Sequence, residues 1–341
     1  MTDVLVAGHV CVDLAPRFER EAQIRPGALF DVGALEVRVG GCIANTGAVL
    51  AALGSGVRAH GLVGDDELGA IAAAQLGARE GITADLAVDG SRATSYSIVI
   101  QPPGRDRTFW HHTGANDAFD GESVRPGDAR LVHVGYPPLL PGIADRGGAP
   151  LERLMARVKA SGATTSLDLA VVDPASRAGG YDWRAVLRRA LPHVDVLTPS
   201  LDDLTSALRI EPRPGLADDL AGELIAGGAA VVAISDGERG LLLRTAPGRR
   251  LRQGGPVLAP LADEWGDVRV RLPPIAVAEP RTTNGAGDAA TAGLLHGMLV
   301  GADPAGAAAC AIASAAAWIE RDELSPSALV GRDARLAAWM G

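Results

Sequence analysis

Leu131-Val-His-Val134, Thr165-Ser-Leu-Asp-Leu169, Val194-Asp-Val-Leu197 and Val231-Val-Ala-Ile234 are four short apolar runs, spaced along one half of the chain. Each is too short for a buried helix and rich in valine, leucine or isoleucine, which reads as a fully buried strand. The segments 151–160, 183–190, 201–208 and 216–226 between and around them carry apolar residues at helical spacing. Strand and helix alternate, and that rhythm predicts a parallel sheet covered by helices on both faces. Ligands of such sheets bind beyond the carboxyl ends of the strands. Asp168 lies at such an end, where it is either a site residue or the cap of a turn.

Working outward, Val4-Leu-Val6 followed by Gly8 predicts a strand at the start of the chain. The stretches 35–39, 92–101 and 107–112 differ from the rest because polar and apolar residues alternate, as in Thr94-Ser-Tyr-Ser-Ile-Val-Ile100. Alternation marks half-exposed strands, which predicts a small antiparallel sheet apart from the main one. Helical patterns run over 44–53, ending at Gly54, and over 68–79. The Ala-rich stretch 305–319 reads as a buried helix and is shorter than the ~20 residues a membrane span needs.

The 341 residues are 47% hydrophobic and 21% charged, enough apolar material for a large core. The net charge of −9 opposes a nucleic-acid or anionic-membrane partner, because those require a basic face. It leaves room for a nucleotide, which backbone donors at one local site can hold. Cys11, Cys42 and Cys310 form no CxxC pair and are expected as buried free thiols. The first residues lack a basic segment and a long apolar run, so a cytoplasmic protein without a signal peptide is expected.

Thr282-Thr-Asn-Gly-Ala-Gly-Asp288 is the most informative segment for chemistry, because a helix-compatible stretch follows it. Gly285, Ala286 and Gly287 form a side-chain-poor turn whose N–H groups face the positive end of that helix. Such a turn stabilises charge growing on a transferring phosphoryl group. A carboxylate at 288 repels resting phosphate but suits a base that accepts a proton from an attacking hydroxyl. The same residues also read as an ordinary helix cap. Gly285-x-Gly287-x-x-Ala290 further matches a relaxed dinucleotide fingerprint, but Ala278-Glu-Pro-Arg281 before it is a poor strand.

A second segment, Val39-Gly-Gly-Cys-Ile-Ala-Asn45, pairs two glycines with an amide at a helix start, a combination suited to sugar hydroxyls or to a plain turn. Gly61-Leu-Val-Gly-Asp-Asp-Glu-Leu-Gly69 reads as a strand–turn–helix junction. Lys159 is the sole lysine, so neither a P-loop nor the lysine-dependent protein-kinase set is present.

Taken in order, these segments resemble the ribokinase-like (PfkB) family of carbohydrate kinases. Gly40-Gly41-x-x-x-Asn45, Gly61–Gly69, Ser235-Asp-Gly-Glu-Arg-Gly240 and Thr283-Asn-Gly-Ala-Gly-Asp288 carry the resemblance over some 280 residues. It implies a three-layer α/β/α fold, one kinase domain over 1–341, and a small β-sheet lid from about 14–39 and 92–113. It also implies ATP-dependent phosphorylation of a sugar hydroxyl. Asp288 would be the general base, with Gly285, Ala286 and Gly287 as the anion hole. Asp13, Gly40, Gly41 and Asn45 would bind the substrate. Ser235, Gly237, Gly240, Thr283 and Asn284 would lie near ATP, and alanines after Ala307 would wall the adenine. A homodimer through the lid is implied as well. Two positions depart from the family pattern. Thr282 replaces the acidic residue that helps bind an activating monovalent cation, which leaves potassium activation open. Ser200-Leu-Asp-Asp203 replaces Asn-x-x-Glu, with Asp203 as the oxygen ligand that would serve Mg²⁺ through water. His111, His112 and Arg107 are either lid contacts to substrate or solvated surface. A nucleoside kinase and a non-catalytic sugar- or nucleotide-binding regulator remain as alternatives on the same scaffold.

Overall fold

The computed structural model describes residues 2–21, 25–104 and 107–340. Its main sheet has nine strands: β1 (Val4–Gly8), β4 (Val57–Gly64), β5 (Ile82–Asp89), β8 (Leu131–Gly135), β9 (Thr164–Leu167), β10 (Val196–Leu197), β11 (Val231–Ser235), β12 (Leu241–Thr245) and β13 (Arg269–Leu272). They lie in the order β13-β12-β11-β10-β9-β8-β1-β4-β5. Pairing is parallel from β5 to β11 and antiparallel at β12 and β13. Every residue of β1, β8 and β9 is buried, as central parallel strands covered on two sides must be.

The helices that cover the sheet are α1 (Cys42–Ala52), α2 (Glu67–Gly77), α3 (Pro141–Ala160), α4 (Trp183–Ala190), α5 (Leu201–Leu208), α6 (Leu216–Ala226), α7 (Ala286–Leu299) and α8 (Pro304–Glu320). Two apolar clusters form the core, one on each side of the sheet. One is built on α1, α7 and α8, and the other on α3, α4 and α6. The three-layer arrangement expected from the sequence is therefore present.

Three details differ from the sequence reading. The strand expected over 194–197 keeps only Val196 and Leu197, and the Asp195 side chain before it accepts from Lys159, Arg250 and Thr165. That places the sole lysine in a structural ion pair with the buried Asp195. Helix α3 begins ten residues earlier than expected and is broken at Asp145–Gly148, where Arg146, Gly147 and Gly148 take positive φ. The strands β4, β5, β12 and β13 were not singled out in the sequence, apart from the start of the Gly61–Gly69 junction.

The second sheet has four strands in the order β3-β2-β6-β7: β2 (Cys11–Pro16), β3 (Leu35–Gly40), β6 (Tyr96–Ile100) and β7 (Thr108–His112). It is mixed rather than antiparallel, since β2 and β6 run parallel. They come from distant parts of the chain, and no tight hairpin joins them. Residues 22–24 and 105–106 of the expected lid ranges lie outside the described residues. The register aligns Arg38, Asp13, Ser97 and His111 directly across all four strands. The next row, Val37, Leu14, Ile98 and Trp110, points to the opposite face and is apolar.

Candidate active site

A cleft of about 920 Å³ lies between the carboxyl ends of the central strands and the polar face of the small sheet. Asp288, in the first turn of α7, is its most enclosed acid, with 3% of its surface exposed. Its Oδ1 accepts hydrogen bonds from Thr46 Oγ1 at 2.8 Å and from the Tyr136 hydroxyl. Its Oδ2 accepts from Asn45 Nδ2 at 3.0 Å. Burial pushes the Asp288 carboxyl above the usual range, and the three donors, Tyr136 foremost, pull it back down. The Tyr136 phenol is pushed well above its ordinary value by burial and by the Asp288 charge, so it stays protonated as a donor.

The turn before α7 is built as a cradle. Gly285 caps the helix at φ 81°, and a Cβ there would come within 3.0 Å of the Trp318 ring. Only glycine meets both conditions cheaply. Trp318 Nε1 donates to the Asn284 carbonyl at 2.6 Å and so anchors the loop from α8. The first intrahelical bond of α7 runs from Ala289 N–H to Gly285 at 2.9 Å. The N–H groups of Gly287 and Asp288 precede it and have no carbonyl one turn back. Gly287 is exposed, and a Cβ there would meet nothing within 4 Å. Packing does not demand a glycine at 287, but a group seated closely against the helix end would.

Asp168 and Asp203 share the cleft with Asp288. Asp168 is pushed well above its ordinary range by burial and by the charges of Asp203 and Asp288. Asp203 is pushed up to about 6, chiefly by burial. Asp203 also forms a reciprocal cap with Ser200, accepting from the Ser200 N–H at 2.7 Å while its own N–H donates to Ser200 Oγ at 3.0 Å. A smaller pocket of about 330 Å³ adjoins the cleft and is bounded by Ser200, Ser235, Gly237 and Arg239.

Of the residues singled out in the sequence, Asp13, Gly41, Asn45, Asp203, Ser235, Gly237, Thr283, Asn284, Gly285, Gly287 and Asp288 all line the cleft. Gly40, Ala286 and Gly240 do not. Gly40 makes room for a diagonal neighbour on β2, since a Cβ there would sit 2.7 Å from the Asp13 carboxylate. Gly240 has φ 82° and no space beside the Leu272 carbonyl, so it serves the β11–β12 turn. Ala307 and Cys310 pack against Gly297 and Gly293 of α7, while Ala311 reaches a small recess beside Thr198. Thr46, Tyr136, Trp318 and His9 went unread, because nothing local to them signals the carboxylate, loop or cleft they reach. Among the described residues, no group of three or more His, Cys, Asp or Glu side chains is placed to hold a metal ion by itself. No helix among them is long and apolar enough to cross a membrane.

A buried carboxylate beside a glycine-rich helix start, at the mouth of a three-layer α/β fold with a small accessory sheet, defines the ribokinase-like class of kinases. The family model of the pfkB family of carbohydrate kinases matches residues 1–329, and the chain belongs to that family. Similar solved structures include the ribokinase of Arabidopsis thaliana complexed with ribose and ATP. Its TM-score is 0.73 at 18% identity, covering 97% of this chain and 99% of that one. The phosphofructokinase-2 of Escherichia coli in complex with potassium matches with a TM-score of 0.74 at 17% identity, covering 99% and 100%. A nucleoside kinase of Methanocaldococcus jannaschii matches with a TM-score of 0.68 at 16% identity, covering 99% of each chain. At these identities the likeness is one of fold.

Proposed function

We propose that the chain, acting as one kinase unit over 1–341, transfers the γ-phosphoryl group of ATP to a hydroxyl of a sugar-like acceptor. The observation that carries this reading is Asp288, a buried carboxylate with donors on both oxygens, one residue after the Gly285–Gly287 turn. Oδ1 takes two donors and Oδ2 one, so Oδ2 keeps the free lone pair that accepts the acceptor's proton. The freed oxygen attacks phosphorus, and ADP leaves. The N–H groups at the start of α7 face the oxygens on which charge develops. Ser235, Gly237, Thr283 and Asn284 would hold ATP along the cleft towards the adjoining pocket, and Asp13, Gly41 and Asn45 would hold the acceptor opposite.

Magnesium fits this site on its donor chemistry. Asp168, Asp203 and Asp288 raise the cost of one another's charges, which a divalent cation relieves. They do not form a complete direct ligand set, so Asp203 and Asp168 would face the ion through water, with nucleotide phosphates completing its shell. When bound, the ion supplies charge neutralisation for the phosphates. Thr282 leaves potassium dependence open. The apolar face of the small sheet, with Trp110 47% and Leu35 56% exposed, supports a homodimer through this lid. The test of the function is acceptor-dependent ADP release with MgATP over sugars, polyols and nucleosides. If no acceptor stimulates release from folded, ATP-binding protein, the kinase reading fails and the regulator reading takes its place.

A further inference from the structure

The end of the cleft under the small sheet has a chemistry of its own. His9 is 2% exposed, lines the cleft, and has no hydrogen-bond partner on either ring nitrogen. His111 stands across from it with ring centroids 5.2 Å apart. The His111 Nδ1 pairs with Ser97 Oγ at 3.0 Å, and its Nε2 has no partner. Burial depresses both imidazoles, His111 to about 4, so both are neutral at pH 7. A neutral imidazole presents one N–H and one bare nitrogen, and each is costly to leave unmatched when buried. A hydroxyl answers both needs, whereas a phosphate or carboxylate only accepts. Asp117 Oδ1 is likewise buried, unpartnered and in the cleft wall, and it requires a donor.

Charge points the same way. Asp13, Asp117, Asp168 and Asp288 all line the cleft. Among the described residues, the arginines of its lining are already engaged. Arg177 is bound to Asp145, and Arg107 donates to Thr283 and lies in the field of Asp13. Arg38 and Arg107 offset the charge of Asp13, but Asp117, Asp168 and Asp288 still face an anionic acceptor there.

We infer that the acceptor is an uncharged polyhydroxy compound whose hydroxyls engage His9, His111 and the Asp13–Ser97 part of the polar row, and that sugar phosphates and sugar acids are excluded. This rests on the kinase reading above. The experiment measures kcat/KM with MgATP for ribose, fructose and a cyclic polyol, each beside its phosphate monoester, and for gluconate. Calorimetric binding of the same probes to Asp288→Asn protein accompanies it. The expected result is turnover of a neutral probe, with its phosphate ester at least about 100-fold poorer. His9→Leu and His111→Phe, each with unchanged melting temperature, are expected to raise KM for that probe about 10-fold while kcat changes little. Preference for a phosphate ester or an acid overturns this inference and leaves the kinase intact. Neutral-probe binding that weakens in either histidine variant, without turnover, upholds the site's preference for an uncharged polyhydroxy ligand and removes the kinase reading. Absence of both turnover and binding of every neutral probe overturns it.

Discussion

Replacing Asp288 by Asn keeps the shape of the side chain and removes its charge, which separates the chemical role of the carboxylate from its structural one. The amide oxygen can still accept from Thr46 and Tyr136, and an amide flip of Asn45 can restore the remaining bond. Loss of a general base costs about 10²- to 10⁴-fold in kcat, or roughly 3 to 5 kcal/mol of barrier at about 1.4 kcal/mol per tenfold. Stability moves the other way. The Asp288 carboxyl titrates higher folded than free, so the unfolded chain gives up its proton first. Its penalty is absent at low pH, builds as pH rises from the free value through the folded one, and is carried in full above the folded one. Asn carries none. With about 2.1 cal/mol/K of unfolding entropy per residue over 341 residues, each kcal/mol of relief raises the melting temperature by about 1.4 °C. The assay pairs coupled ADP release with thermal unfolding at neutral pH. Activity should fall by at least about 100-fold while the melting temperature holds or rises. Full turnover in Asp288→Asn would refute the mechanism, and a steep fall in melting temperature would show the carboxylate to be structural.

Tyr136→Phe removes the foremost donor that lowers the Asp288 carboxyl, so its value should rise. The groups around that carboxyl are Tyr136, Asn45, Thr46, Cys42, Asp168 and Asp203. The acid limb of the kcat/KM profile should then move to higher pH, and an unmoved limb would assign Tyr136 to packing alone. Gly287→Ala should stabilise α7 by up to about 1 kcal/mol through helix propensity, yet raise KM for ATP, because its methyl enters the open space where the proposed phosphate would sit. Gly285→Ala should instead lower the melting temperature, at a cost of about 1–3 kcal/mol for its positive φ and the Trp318 contact. Trp318→Phe breaks the bond to the Asn284 carbonyl, worth about 1 kcal/mol. It should raise KM for ATP more than it affects the acceptor, as initial-rate kinetics in each substrate will show.

The elements that carried their own signals were legible without the structure. Helices α4, α5 and α6 fall on the residues their periodicity marked, and the Gly285–Asp288 turn stands at the start of α7 as its composition required. These features depend on spacing and capping within a few residues, which is information a linear chain displays. The run at 194–197 signalled a strand but not its two-residue extent, and β12 followed β11 without being marked, because pairing with neighbouring strands decides where each begins and ends. The site followed the same division. Asp288, Gly285 and Asn45 announced themselves by motif, and family membership supports their grouping. Tertiary structure alone could bring Thr46, Tyr136 and Trp318 to that motif, since they lie 242, 152 and 34 residues from their partners. It alone could align Asp13, Ser97 and His111, because strand register, a contact between distant segments, sets which side chains share a face.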